Sequence, residues 1–243
     1  MGASYDRATR FRGSIMCRFR LGRLIGAALL ALCAGLLSMP AAVVARGHGG
    51  SGDAPGRFDY YLMALSWSPS YCLTHPDDSL QCASKGFGFV LHGLWPQNRN
   101  GDWIQHCESD AAPDQATIER SLAFMPSRSL IAHEWRTHGS CSGLDPKSYF
   151  DLADRAFASV KVPTALATPS SPPALSAAEI VRGFVSVNPR LDERMLSVVC
   201  HDGAELAEVR ICLDKETLAP QACSGRVRTS CRNPSIGVFS APL

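Results

Sequence analysis

Eight cysteines constrain this chain more than anything else among its 243 residues. They are Cys72, Cys82, Cys107, Cys141, Cys200, Cys212, Cys223 and Cys231, and they follow an N-terminal stretch with the form of an export leader. In that stretch Arg18, Arg20 and Arg23 precede an acid-free apolar run over residues 24–37. Residues 40–45 then end in a small-residue cleavage pattern at Val43 and Ala45. The run is shorter than the roughly 20 residues a spanning helix needs. Residues 1–45 therefore read as a signal peptide rather than an uncleaved anchor, with Met16 as an alternative start. Lipid attachment at Cys33 is disfavoured by the large Leu32 before it. Cys17 and Cys33 leave with the leader, so an even number of cysteines remains in an exported chain. That reads as four disulfides, which places the protein in the periplasm or outside the cell. Spacing alone permits 105 pairings of eight cysteines. No C-x-x-C pair occurs, which argues against zinc and thioredoxin-like sites, and an even count leaves no thiol free as a nucleophile.

The leader also distorts the charge. Six of the 24 Lys and Arg and one of the 22 Asp and Glu lie in residues 1–45, leaving 18 cations against 21 anions, a net charge of −3. A mature chain this acidic is no broad nucleic-acid clamp, although a small site could still grip one or two phosphates.

Residues 46–56 are Gly- and Ser-rich and read as a flexible start, followed by one domain over residues 57–243. Residues 58–67 are apolar on both faces, as in a buried central strand. Residues 71–84 read as a loop, and residues 88–91 as a short strand delivering His92 at its end. Residues 114–125 read as a helix stopped by Pro126, and residues 129–138 as another, capped by Gly139. Asp145-Pro146 opens a third helix. Residues 161–175 are a Pro-, Ser- and Ala-rich loop. Ser176 and Glu179 form a capping box for a helix ending at Asn188-Pro189. Residues 195–200 and 206–214 read as strands; in the second, Val209, Ile211 and Leu213 alternate with Glu208, Arg210 and Asp214. Helices and strands mix without βαβ alternation, which indicates an α+β domain.

Two segments carry chemistry. In Phe89-Val90-Leu91-His92-Gly93-Leu94-Trp95-Pro96-Gln97 a histidine follows an apolar strand. Gly93 permits close approach to the backbone, and an exposed Trp95 would offer a base a flat face. In His133-Glu134-Trp135-Arg136-Thr137-His138-Gly139-Ser140-Cys141, Glu134 and His138 are four apart and share a helical face, so the carboxylate can orient the imidazole. His133 and His138 are five apart, about 140° around a helix, which spoils the joint zinc ligation of an H-E-x-x-H site. RNA carries its own nucleophile, the 2′-hydroxyl. A pair of histidines can supply the base and the acid its cleavage needs, with a cation or donor for the charge on the phosphoryl oxygens.

The two blocks, H-G-L-W-P at His92–Pro96 and H-E-W-x-x-H-G-x-C at His133–Cys141, resemble those of the RNase T2 family of acid-type endoribonucleases. The likeness extends through Phe58–Leu62, Trp67–Cys72 and Leu206–Cys212. It implies an antiparallel sheet with helices packed against it, and metal- and cofactor-free cleavage of single-stranded RNA to 2′,3′-cyclic phosphates. Nothing in the sequence demands more than a monomer, and no lasting membrane association is expected once the leader is removed. The resemblance further implies His138 as general base, His92 as general acid, Glu134 stabilising the transition state and His133 holding the phosphate. Trp95, Gln97 and Arg136 are candidate substrate contacts. The implied disulfides are Cys72–Cys82, Cys107–Cys141, Cys200–Cys231 and Cys212–Cys223. Thr137 stands where the family usually has lysine, and Arg136 or His133 is expected to compensate. Gln97 and Leu130 also depart from the family pattern, so no base preference is assigned. Three rival readings have discriminating features: a catalytically weakened RNA-binding module, a disulfide-rich structural or inhibitor domain with His92 and His138 far apart or buried, and a chelator-sensitive metal hydrolase.

Overall fold

In the computed structural model, residues 54–82, 86–102, 104–167 and 174–240 are described. The leader, and all of the flexible start except residues 54–56, lie outside them, as does the middle of the 161–175 loop. The chain runs β1 (Tyr60–Trp67), α1 (Ser68–Thr74), β2 (Phe89–Gln97), α2 (Gln115–Ser121), α3 (Arg128–Thr137), a 3-10 turn (Gly139–Cys141), α4 (Pro146–Ala158), α5 (Thr164–Ala167), α6 (Ala177–Val187), a second 3-10 turn (Glu193–Met195), β3 (Leu196–His201) and β4 (Glu205–Asp214). The strands form one antiparallel sheet in the order β2-β1-β4-β3. This is the expected α+β architecture. No helix among the described residues is long and apolar enough to cross a membrane.

The sheet has two unequal faces because strand side chains alternate. Tyr61, Met63, Leu65 and Trp67 of β1 meet Leu91 and Leu94 of β2 and Val209, Ile211 and Leu213 of β4 in the main core, closed by Ile131, Trp135, Tyr149, Phe150 and Phe184 from the helices. The opposite face carries only a small cluster: Tyr60, Leu62, Ala64, Trp95 and Cys212. β1 is central and buried almost throughout, as its apolar run predicts.

Local signals set most helix starts. Asp145 caps α4 by accepting from Ser148 N, with Pro146 in the first turn, and Ser176 and Glu179 form the capping box of α6. Four expectations need correction. Residues 71–84 are not all loop, since α1 carries Cys72. The helix at 114–125 shortens to α2, capped by Asp114, with turns following it. A one-turn helix, α5, lies inside the 161–175 loop. Gly139 is not a left-handed cap but opens the 3-10 turn: a Cβ there would lie 2.6 Å from Trp135 and 2.9 Å from Tyr149, so close packing excludes a side chain. The disulfides pair as the resemblance implies.

Candidate active site

β2 supplies the first functional group, and not at a strand end. The strand continues to Gln97, and its register with β1 passes from Ala64↔Gly93 to Leu65↔Leu91, skipping His92. His92 is therefore the extra residue of a β-bulge, a device that bends a strand and re-aims a side chain. Gly93, beside it, sits under the tightest packing in the site. A Cβ there would meet Glu134 Oε2 at 2.0 Å and Trp95 Nε1 at 2.2 Å.

α3 supplies the second set. Ser127 caps it by accepting from Leu130 N, and Ile131, Glu134, Trp135 and Thr137 form its buried face. The helix ends at Thr137. His138 leaves it as C-cap, with its N–H still donating to Glu134 O at 2.9 Å. The Cys107–Cys141 disulfide and the His106 N–H, which donates to Thr137 O at 2.8 Å, hold this end in place.

Trp95 ties the two sets together. Its indole N–H donates to Glu134 Oε2 at 2.7 Å, its ring centroid lies 5.2 Å from that of His92 and 5.1 Å from that of His138, and only 9% of the residue is exposed. The expectation of an exposed stacking platform is thus corrected: the indole is the floor between the two imidazoles. The site residues line two cavities. One, of about 520 Å³, has Trp95, Gln97, His106, His138 and Arg210 in its wall; the other, of about 320 Å³, has His92, Ser127 and Leu130. They meet at His133, an exposed residue that lines both. The two histidines are neither remote nor wholly buried, contrary to what a purely structural domain requires. Arg136 is exposed and lines neither cavity, so the structure does not bring it into the cleft.

Sequence reasoning missed three contributors. Glu208, on β4, accepts from or shares a proton with His92 Nδ1 at 2.7 Å through Oε1. Its Oε2 accepts from Arg210 Nε at 2.7 Å, and the Arg210 guanidinium stands 5.2 Å over the Trp95 ring. Strand alternation put Glu208 and Arg210 opposite the core, which is right, but that face is the site rather than open solvent. The third is His106, whose φ of 55° is unusual for a non-glycine residue. Backbone conformations of this kind cluster at functional sites.

The environment drives the titrating groups apart. Burial, with the neighbouring charges of His133, His92 and His106, pushes His138 down to about 3. Its Nδ1 is buried and unpartnered among the described residues. For His92, burial acts downward too, but the Glu208 hydrogen bond and the charges of Glu134 and Glu208 outweigh it and hold the ring above the ordinary histidine value. Burial raises Glu134 to about 7, against the opposing pull of His92 and the Trp95 hydrogen bond. The Oε1 of Glu134 has no hydrogen-bond partner among the described residues and lies 3.6 Å from His92 Nε2. His133 is lowered by burial and by the charges of His92, Arg136 and His106. Among the described residues, no three His, Cys, Asp or Glu side chains gather in a metal-binding group.

Comparison with known proteins gives a consistent result. The model of the Ribonuclease T2 family matches residues 58–223. A ribonuclease of Aeromonas hydrophila is 48% identical over 98 residues, covering 40% of this chain and 44% of that protein. A probable ribonuclease of Haemophilus influenzae is 32% identical over 179 residues, covering 68% and 61%. The chain thus spans about half the length of these curated relatives. Among solved structures, an RNase-related protein from Calystegia sepium superposes with a TM-score of 0.62 at 25% identity, over 76% of this chain and 98% of that one. RNase NT in complex with 5′-AMP gives 0.56 at 22% identity, over 74% and 97%.

Proposed function

The chain belongs to the ribonuclease T2 family, and on that premise we propose that it is an endoribonuclease that cleaves single-stranded RNA without a metal. One observation carries this reading: two imidazoles beside the same indole hold opposite protonation preferences. Neutral His138 takes the proton from the 2′-hydroxyl. The 2′-oxygen attacks phosphorus, the bond to the 5′-oxygen breaks, and protonated His92 gives its Nε2 proton to that leaving oxygen. The products are a 2′,3′-cyclic phosphate and a free 5′-hydroxyl. This division matches the rule that acid and base roles fall to groups whose environments push their pKa values apart. Below about pH 7 the buried Glu134 carboxyl is mostly neutral, so it offers the phosphoryl oxygens a donor instead of a repelling charge. His133 and Gln97 contact the substrate from the cavity walls, while Trp95 acts through Glu134 by orienting its carboxyl. Function as a monomer in the periplasm or outside the cell belongs to the same reading, supported by disulfides that persist in oxidising compartments.

The test is cleavage of single-stranded RNA in EDTA by wild type and His138→Ala. Wild type is expected to release cyclic-phosphate ends in the chelator, and the variant to lose about 10²–10⁴-fold in rate. Loss of wild-type activity in EDTA, or an active variant, would refute the reading.

A further inference from the structure

We propose that Arg210 is the cation that stabilises the phosphoryl oxygens in the transition state, held in place by Glu208. The inference rests on the ribonuclease reading and adds a residue to it. Displacement at phosphorus builds negative charge on oxygens lying between the base and the acid, and preorganised positive charge there is worth most in rate. Four side chains come into question. Arg136 is exposed and lines neither cavity. Arg226 lines the larger cavity but is exposed. His133 is exposed, and burial and neighbouring charge lower its affinity for a proton. Arg210 differs from all three. It lines the cavity that holds His138, and it stands over the indole that both imidazoles flank.

The sheet makes room for it. Gly93, Ala64 and Arg210 lie opposite one another across β2, β1 and β4. On that side of Arg210, Ala64 and then Gly93 carry one methyl group between them, and the guanidinium lies across the sheet toward Trp95. Its Nε donates to Glu208 Oε2 at 2.7 Å and its Nη2 lies 2.7 Å from the same oxygen. The Nη1 edge has no hydrogen-bond partner among the described residues. An arginine carries five N–H donors in a fixed fork, so the bonded edge sets its position while donors remain for the substrate. Glu208, whose other oxygen holds His92, is a positioning residue that couples the cation to the acid. Arg210 is then a catalytic residue on a strand that neither conspicuous motif includes.

The experiment is steady-state cleavage of a dinucleoside phosphate by wild type, Arg210→Ala, Arg210→Gln and Arg136→Ala, with folding checked by circular dichroism. Both Arg210 variants are expected to lose about 10²–10³-fold in kcat with much smaller changes in KM. Millimolar guanidinium, but not urea, should restore part of the rate to Arg210→Ala, which a merely structural role would not allow. Arg210→Gln keeps a group able to bond Glu208, and it carries the test if the alanine variant does not fold. Near-wild-type kcat in folded Arg210 variants, no rescue by guanidinium, or the main loss appearing in Arg136→Ala would each overturn the proposal. Those outcomes with an active wild type strike only Arg210; an inactive wild type overturns the ribonuclease reading and this proposal together.

Discussion

Replacing Gly93 with alanine should damage the site more than any other single methyl group. The new Cβ would stand 2.0 Å from Glu134 Oε2 and 2.2 Å from Trp95 Nε1, against a practical minimum of 3.0 Å, so at least one partner must retreat by about 1 Å. Those two atoms are hydrogen-bonded to each other at 2.7 Å, and displacing either breaks that bond. Neither can yield easily, because Glu134 is fully buried on α3 and the indole is wedged between His92 and His138. Overpacking costs about 1–3 kcal/mol. A buried carboxylate that loses its donor costs about 1–3 kcal/mol more. The expected loss of stability is thus about 2–6 kcal/mol. Catalysis should fall at least about 10²-fold, since a 1 Å misplacement alone has that effect. Urea denaturation followed by tryptophan fluorescence measures the first quantity and RNA cleavage at saturating substrate the second. A Gly93→Ala protein within about 0.5 kcal/mol of wild type and with unchanged kcat would show that the packing argument is wrong.

Two further outcomes are expected. In the pH dependence of kcat/KM, activity should be lost as pH falls toward about 3, where His138 takes up a proton, and as pH rises past the raised value of His92. The profile should peak on the acid side of neutrality; a flat profile from pH 4 to 9 would contradict the assignment. Glu134→Gln should separate stability from function. The folded-state pKa is raised from 4.5 to about 7, so the wild-type carboxyl favours folding least above pH 7, where it is ionised, and most below pH 4.5. At 1.36 kcal/mol per unit, the neutral variant should gain about 3 kcal/mol over wild type at pH 8 relative to pH 4, while its kcat falls. Urea melts at the two pH values that show no change in the difference would exclude a destabilised carboxylate at this position.

The sequence made half of the site legible because helix and motif put that half close together. Glu134 and His138 are near neighbours in sequence, but His138 is the C-cap of α3 and the carboxyl turns to Trp95 and His92, so the expected orientation of the His138 imidazole by Glu134 is corrected. The close approach at Gly93 followed from the absence of a side chain, and the structure identifies the visitors as Glu134 and Trp95. Glu208 and Arg210 were legible only as the polar side of a strand. Their pairing with His92 depends on β1 separating β2 from β4, a long-range arrangement that no local pattern encodes. Trp95 was misjudged for the same reason: whether an indole is a platform or a floor depends on what folds over it, and here that is His138 from a segment some forty residues later. The starts of α4 and α6 were legible through Asp145 and the Ser176–Glu179 capping box, while the caps Asp114 of α2 and Ser127 of α3 were not read.

The bulge in β2 has a consequence for how much change the motif tolerates. His92 and Trp95 are an odd number of positions apart, and on an uninterrupted strand such residues look in opposite directions. Only the one supernumerary residue lets both serve the cleft while Leu91 and Leu94 still fill the core. Straightening the strand at unchanged length would turn the indole toward the helices, with Leu94 sent outward in its place, whereas deleting the extra residue would leave Leu91, Leu94 and Trp95 on their present faces and cost the cleft its imidazole. The supernumerary position is thus a socket for a single side chain, set into a strand whose pairing on either side is otherwise regular.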